Sequence, residues 1–143
     1  MKRMVSVVLV ILVGIIGLFG CKDSKSKEIT LDGSNELIMN YLEALSNKDI
    51  KELKKYSTPE FGKSIGDDKT VLENTLKSAE LLLAKIDSIE EDRVKVYTEV
   101  EIICYDTPES APAGDWIKGE TISKKYFELK YVDGDWKVDG WGA

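Results

Sequence analysis

The sequence predicts an α+β domain in which N-terminal helices pack on an antiparallel sheet, with a signal segment in front of it. Three observations lead to this prediction. Apolar residues recur at helical spacing in the first half of the chain, they alternate with polar residues between positions 94 and 104, and the tight-turn signal Asp133-Gly134 follows a further strand-like run. Helices followed by consecutive strands indicate an α+β fold.

The first 20 residues have the pattern of a secretory signal. Lys2 and Arg3 precede the stretch Met4 to Gly20, which is uncharged and consists mostly of Val, Ile and Leu. The border Leu18-Phe19-Gly20-Cys21 is similar to the lipobox of bacterial lipoproteins, in which a branched apolar residue comes first and a small residue precedes the cysteine. This resemblance implies a cut before Cys21 and a diacylglyceryl group on its thiol.

The lipid on Cys21 would anchor the chain stably, because two acyl chains satisfy the requirement for two membrane signals. We therefore expect an extracytoplasmic protein held to the bacterial membrane by lipid. The alternative is an uncleaved N-terminal membrane helix with an incidental cysteine. Both interpretations place the remainder of the chain outside the cytoplasm.

The composition of the mature chain suits one small acidic domain. Removal of 20 of the 143 residues leaves 123, and the loss of Lys2 and Arg3 changes the net charge from −6 to −8. Such a charge argues against nucleic acid as a partner. Residues 21–33 are polar and are predicted to form a tether, which leaves residues 34–143 for the domain.

Helical signals dominate the first half of the domain. From Asn35 onward an apolar stripe at helical spacing predicts the first helix, which the pair Asn47-Lys48 interrupts. Asp49 is predicted to cap a second helix, with Glu52 three residues later as in a capping box. Thr58-Pro59 predicts the cap and first residue of a short turn. Asp67 or Asp68 is expected to open a third helix, lined on one side by Val71, Leu72, Thr75, Leu76 and Ala79.

Strand signals dominate the second half. The later part of the ambiguous stretch Leu81 to Ile89 is predicted as a strand, and the run Val94 to Cys104 alternates as a long half-buried strand does. Cys104 is expected to be a buried, unreactive thiol. A loop is predicted over Thr107 to Gly114, and a further strand over Thr121 to Val132. A last strand then carries Trp136, Val138 and Trp141.

Two segments together resemble the nuclear transport factor 2-like superfamily, the cystatin-like α+β cone. The first is NELIMNYLEALSNKDIKELKKYSTPEF, which is similar to the two opening helices and the turn after them, and the second is KKYFELKYVDGDWKVDGW, which is similar to the closing hairpin. The resemblance implies a curved sheet that wraps a helix, with a ligand pocket at the mouth of the cone. Tyr41, Tyr56 and Trp136 are the candidate pocket-lining residues. Superfamily members often dimerise through the sheet, so a homodimer of this kind is an open alternative.

The superfamily includes ketosteroid isomerases, dehydratases and pure binding or assembly modules, so the fold does not decide the function. The chain has no histidine, which excludes Ser-His-Asp and Cys-His catalytic arrangements and removes the commonest transition-metal ligand. The stretch DGDWKVDG has a lysine where a calcium loop needs an oxygen ligand, so a hairpin is predicted there and no metal or cofactor is expected. The leading hypothesis is a non-catalytic module that binds a small ligand or a protein. A carboxylate–tyrosine enzyme working in the cone and a structural envelope protein are the alternatives.

Overall fold

Four helices precede a four-stranded sheet in the computed structural model, which describes residues 28–105 and 117–142. The helices are α1 (Leu31–Ser46), α2 (Ile50–Tyr56), α3 (Pro59–Ser64) and α4 (Thr70–Thr75). The strands are β1 (Leu76–Ile89), β2 (Arg93–Cys104), β3 (Gly119–Val132) and β4 (Asp135–Gly142). They lie in the order β1-β2-β3-β4, and each is antiparallel to its neighbour. The predicted fold class, helices packed on a curved antiparallel sheet, is confirmed.

Several predicted features lie outside the described residues. They are the signal segment, Cys21 with most of the predicted tether, and the loop Thr107 to Gly114. Within the described ranges, no helix is both long and apolar enough to span a membrane.

Helix α1 begins four residues before the predicted start at Asn35. The reason is a cap at Thr30, whose hydroxyl accepts a hydrogen bond of 3.0 Å from the backbone N–H of Gly33. The helix ends where Asn47-Lys48 was predicted to interrupt it. Lys48 has a left-handed φ of 55°, and the N–H groups of Lys48 and Asp49 bond back to the carbonyls of Leu45 and Ala44. This pattern of two backbone bonds closes the last turn of a helix and satisfies its carbonyls.

The caps predicted for the next two helices are confirmed. The Asp49 carboxylate accepts from the backbone N–H of Glu52 at 3.1 Å, and the Thr58 hydroxyl accepts from that of Phe61 at 3.2 Å. The reciprocal half of a capping box is absent at Asp49, because its own N–H already bonds to the carbonyl of Ala44. The Thr58 N–H donates to the carbonyl of Val138 at 2.8 Å, which ties the α2–α3 junction to β4.

The predicted third helix is wrong beyond Thr75. Helix α4 has only six residues, and Leu76 and Ala79 belong to β1, where they pair with Cys104 and Ile102 of β2. Strand β1 shifts register between Leu76 and Ser78, between Leu81 and Leu83, and between Ile86 and Ser88. These three bulges break the period-two alternation of β1, so its sequence lacks the usual strand signal.

The alternation predicted for β2 is confirmed residue by residue, since every second side chain from Val94 to Cys104 is buried. Cys104 is a buried free thiol, and burial raises its pKa. The Asp133-Gly134 turn is also confirmed, with φ angles of 53° and 82°. A type I′ turn, in which both φ values are positive, matches the twist of a two-residue hairpin, and glycine adopts such a φ without a Cβ clash.

Strand β4 contains a bulge that sequence alternation did not reveal. Leu129 pairs with Val138 but Glu128 pairs with Gly140, so Asp139 is an extra residue on β4. The bulge resets the alternation and places Trp141 opposite Phe127, where the two rings stack with centroids 5.1 Å apart. We call the face of the sheet that carries the buried side chains of β2 the inner face, and the opposite one the outer face. The core forms where Ile38, Tyr41, Leu42 and Leu45 of α1 are buried together with inner-face residues of the sheet.

Candidate functional site

Tyr41 lies in the core. Its side chain is only 3% exposed, and its ring packs against Phe61, Phe127 and Trp141 with centroid distances of 6.3, 6.0 and 6.2 Å. Burial raises the pKa of Tyr41 to about 12, and a hydrogen bond from the Trp141 indole partly opposes this rise. The structure therefore separates Tyr41 from the other two candidate pocket residues.

Tyr56 and Trp136 do meet, in a surface groove of about 450 Å³ that we call the Trp136 groove. Helix α1 and the residues before it form one wall, the end of α2 forms another, and the start of β4 forms the third. Its polar and apolar lining residues are Glu28, Ile29, Thr30, Gly33, Glu36, Leu37, Asn40, Lys55, Tyr56, Asp135, Trp136 and Lys137. The volume is in the range of small-molecule sites.

The walls of the Trp136 groove are tied together by specific contacts. The Lys137 ammonium donates to the backbone carbonyl of Lys55 at 2.8 Å, which links β4 to α2. The Lys55 ammonium lies 5.5 Å from the centre of the Tyr56 ring. Trp136 packs edge-on against Tyr131 with ring centroids 5.5 Å apart, and within residues 28–105 and 117–142 the buried indole Nε1 of Trp136 has no hydrogen-bond partner. A buried N–H donor without an acceptor is costly, so it marks a place where an acceptor from outside the protein would be stabilising.

A second polar feature lies on the inner face of the sheet, at the end away from the hairpin. Lys125 and Ser123 of β3 are only 5% and 3% exposed, and Thr121 follows them two residues further along the strand. Thr98 lies beside Lys125 on β2 and its hydroxyl donates to the Lys125 carbonyl at 2.8 Å. The hydroxyls of Thr121 and Ser123 are buried and have no hydrogen-bond partner among the residues that the structure describes. We call these four residues the polar strip.

The carboxylates of the described residues lie elsewhere. On the outer face Glu101 faces Glu80 across the β1–β2 pair, and a hydrogen bond with Glu120 is the main reason that the pKa of Glu101 is raised. Tyr97 donates to Glu99 at 3.3 Å on that same outer face. Lys125 is the one buried charged residue among those the structure describes. No buried carboxylate therefore lies beside a tyrosine in this part of the chain.

Two of the three aspartates in the stretch DGDWKVDG have structural roles. Asp133 forms the turn, and Asp139 accepts hydrogen bonds from the Thr58 hydroxyl at 2.7 Å and from the Arg93 guanidinium at 3.2 Å. The Lys137 ammonium points instead to α2. In residues 28–105 and 117–142, no group of three acidic, cysteine or histidine side chains is placed to hold a metal ion.

Comparison with known proteins identifies the fold. No protein-family model and no curated protein matches the sequence. Among solved structures, the chain is similar to a protein named as an aromatic ring hydroxylase from Novosphingobium aromaticivorans, with 13% identity, a TM-score of 0.55, and coverage of 80% of this chain and 89% of the other. A designed nuclear transport factor 2 protein matches with 12% identity and a TM-score of 0.51, over 78% and 97% of the two chains. The chain has the nuclear transport factor 2-like fold.

The same fold occurs in the intermembrane space region of the chloroplast protein ARC6, with 13% identity, a TM-score of 0.54, and coverage of 80% and 96%. At these identities the likeness concerns the fold alone. Within the nuclear transport factor 2-like fold, the inner face lines the interior of the cone, so the polar strip is an interior feature and the Trp136 groove is a surface one.

Sequence reasoning missed the polar strip although a signal for it was present. Phe127 and Leu129 alternate in the strand predicted over Thr121 to Val132, so they share one of its faces. Counting back by twos from Phe127 gives Lys125, Ser123 and Thr121 on the same face. A lysine at a core position of a strand is unusual enough to mark a site, because charged side chains are rarely buried without a partner or a role.

Proposed function

We propose that the protein is an extracytoplasmic lipoprotein whose domain binds a small ligand in the Trp136 groove without catalysing a reaction. The single observation that supports the groove as the binding site is Trp136 itself, which lines a groove of about 450 Å³ and whose buried indole N–H has no acceptor among the described residues. A ligand that brings an acceptor to this N–H would supply the missing hydrogen bond.

The lining of the Trp136 groove indicates the kind of ligand. The rings of Tyr56 and Trp136 and the side chain of Leu37 offer apolar and aromatic surface, whereas Lys55 and Glu36 place charges of both signs at the groove. This combination favours a small molecule with a flat or apolar body and at least one hydrogen-bond acceptor. Mixed charge makes a highly charged ligand less favourable.

The proposed anchor puts the groove near the membrane. Glu28 lines the groove and follows Cys21 by seven residues, so even a fully extended chain would separate them by at most about 25 Å. A lipid-anchored domain would thus present this groove close to the lipid surface, where membrane-derived or envelope-derived small molecules are concentrated.

Metabolic labelling tests the anchor. An alkyne analogue of palmitate should label the wild-type protein and should not label Cys21→Ser. Cys104→Ser is the matched control, because it removes the buried thiol of β2 and should leave labelling unchanged. Equal labelling of wild type and Cys21→Ser would overturn the lipoprotein proposal.

Native mass spectrometry of the protein purified from its own envelope tests the binding site. We expect a bound small-molecule mass on the wild type that is lost or reduced in Trp136→Phe, which keeps an aromatic ring and removes only the N–H donor. Tyr126→Phe is the control, since Tyr126 lies on the outer face between Tyr97 and Lys95. A bound mass that persists in Trp136→Phe at wild-type abundance, or no bound mass on the wild type, would contradict the proposed site.

Two alternative functions, from other classes of protein, would require different structural features. An enzyme of the carboxylate–tyrosine type needs a buried Asp or Glu beside a tyrosine, and the described residues offer no such pair. An envelope assembly protein, or a homodimer joined through the sheet, needs an apolar outer face. That face is mixed: Ile122 is 57% exposed, but it lies beside Glu101 and near Lys124. Sedimentation of the purified protein would reveal a sheet-mediated dimer directly.

A further inference from the structure

Part of strand β3 has a free edge. Strand β4 pairs with β3 only from Tyr126 to Val132. Residues 119–125 therefore have β2 on one side and, in the part of the chain that the structure describes, no strand on the other. A strand edge with unpaired backbone N–H and C=O groups is a template for pairing with another chain. We call residues 119–125 the β3 edge.

The β3 edge lacks two common protections against such pairing. Bulges and prolines blunt the edges of many sheets, and β1, the outermost strand on the other side of this sheet, carries three bulges. The β3 edge contains no proline, and its register with β2 is unbroken from Gly119 to Lys130. Its backbone is therefore regular enough to accept a further strand.

The direction of its hydrogen-bonding groups follows from the register. The N–H of Tyr131 donates to the carbonyl of Asp92 at 2.9 Å, so the odd-numbered residues of β3 point their backbone groups toward β2. The even-numbered residues alternate with them and point away from β2. Beyond the end of β4, the backbone groups of Glu120, Ile122 and Lys124 thus point out of the sheet. Their side chains are all exposed, on the outer face.

We propose that the β3 edge pairs with the β3 edge of a second copy of this chain, antiparallel and centred on Ile122. Two-fold symmetry places Ile122 opposite Ile122 of the second copy, and Glu120 opposite Lys124 of the second copy on both sides of the centre. The residues of each pair exchange two N–H···O bonds, because all of them point their backbone groups outward. This contact differs from packing of two outer faces, since it joins strand edges and needs no large apolar surface.

The side chains are complementary in this register. Ile122 is 57% exposed in the single chain, and its counterpart covers it in the pair. Lys124 of the second copy lies opposite Glu120. A hydrogen bond with Glu120, together with the charges of Glu120 and Glu80, raises the pKa of Glu101, so an added cation relieves a local excess of negative charge. Opposite charges directly across a strand pair stabilise it, and like charges destabilise it.

Neighbouring registers are less favourable. If the symmetry axis lay at Thr121, Lys124 would face Lys118 of the second copy, which places like charges opposite each other. If the axis lay at Ser123, Ile122 would face Lys124 of the second copy, and the pairing would run into the part of β3 that β4 already occupies. The register centred on Ile122 is therefore the one that both charge and available edge favour.

Disulfide trapping tests the pairing in the full chain, purified in detergent. Every variant also carries Cys21→Ser and Cys104→Ala, so that the introduced thiols are the only ones. Facing residues of a hydrogen-bonded pair have Cα atoms about 5.5 Å apart, which a disulfide can bridge. We expect Ile122→Cys to form a covalent product with twice the mass of one chain on mild oxidation.

Lys124→Cys is the matched control on the same face of the same strand. Its Cα atom lies at least about 13 Å from that of its counterpart in the pair, because a strand rises about 3.3 Å per residue over four residues. We expect at least about tenfold less covalent dimer than from Ile122→Cys, since the two thiols cannot meet. The double variant Glu120→Cys/Lys124→Cys should recover the dimer, because each new cysteine faces the other kind across the axis.

Charge reversal tests the same pairing without a covalent bond. In sedimentation, Glu120→Lys should raise the dimer dissociation constant about tenfold, because an attractive pair becomes repulsive at two symmetric places. Addition of Lys124→Glu should restore the dimer. The urea midpoint of Glu120→Lys should not fall, because the change removes a negative charge beside Glu101, and this separates loss of pairing from loss of folding.

Three results would overturn the proposal. They are the absence of a covalent dimer from Ile122→Cys, as much covalent dimer from Lys124→Cys as from Ile122→Cys, and a double charge variant that associates no better than Glu120→Lys alone. None of these measurements involves the Trp136 groove, so their outcome is independent of the ligand-binding proposal.

Discussion

The Thr58 hydroxyl donates a hydrogen bond of 2.7 Å to the carboxylate of Asp139, and it also caps α3 by accepting from the N–H of Phe61 at 3.2 Å. Asp139 is the extra residue in the β4 bulge, and Arg93 of β2 donates to its other oxygen at 3.2 Å. The Asp139 carboxylate therefore joins the start of a helix, the bulge in β4, and β2, which lies two strands away in the sheet. Residues 81 positions apart in the chain fix how the helices lie on the sheet.

Removing the Asp139 carboxylate should destabilise the domain. Asp139→Ala leaves the Thr58 hydroxyl and the Arg93 guanidinium without their acceptor, and we expect a loss of about 1–3 kcal/mol, as for hydrogen bonds to charged groups. Urea unfolding followed by tryptophan fluorescence measures it. A double-mutant cycle with Thr58→Ala isolates the pair, and strictly additive losses would show that the two side chains do not interact.

Stability should fall above pH 10 because of Tyr41. Its pKa is about 12 in the folded protein and near 10 when unfolded, so only the unfolded chain releases this proton between those values. The contribution is fully present below pH 10 and is lost as the pH rises toward 12, with a limit of about 2–3 kcal/mol. Denaturant melts from pH 8 to 11.5 should show the wild type losing more stability than Tyr41→Phe. Parallel pH profiles of the two proteins would rule out Tyr41 as the cause.

The outer-face carboxylates should repel one another at neutral pH. The hydrogen bond with Glu120 and the nearby charges raise the pKa of Glu101, which means that the folded state favours its protonated form. Its favourable contribution exists at low pH and disappears as the pH rises through the folded pKa. Glu101→Gln mimics the protonated form and should raise the urea midpoint at pH 7, less so in high salt. Glu99→Gln is the control, because Glu99 faces Lys124 and should give no gain.

Trp141 should matter more to stability than Trp136. Trp141 stacks on Phe127 and packs against the core residue Tyr41, whereas Trp136 lies at the groove and leaves its indole N–H unpaired. We expect Trp141→Ala to cost about 3–5 kcal/mol and Trp136→Ala about 1–3 kcal/mol. Deleting residues 134 to 143 should unfold the domain, because the deletion removes both Val138 and Trp141. Equal losses for the two tryptophan variants would contradict this ranking.

The sequence by itself determined the elements whose signals are local. Asp49 and Thr58 cap the helices that follow them because a cap needs only a side-chain oxygen and a nearby N–H. Asp133-Gly134 forms the predicted turn because its φ angles are a property of those two residues. The regular alternation of β2 likewise gave its inward face, and the resemblance of two short segments gave the nuclear transport factor 2-like fold that the structure confirms.

Tertiary structure decided what depends on pairing between distant residues. Leu76 and Ala79 have helical spacing, yet they form β1 because β2 offers a complete set of backbone partners. The bulge at Asp139 turns Trp141 inward and cannot be read from alternation, because a bulge changes the period at one residue only. Packing of α1 on the sheet sends Tyr41 to the core and leaves Tyr56 and Trp136 together at a groove. Local sequence patterns predict which face of a strand a side chain occupies, but only the packed sheet determines which residues lie opposite that face.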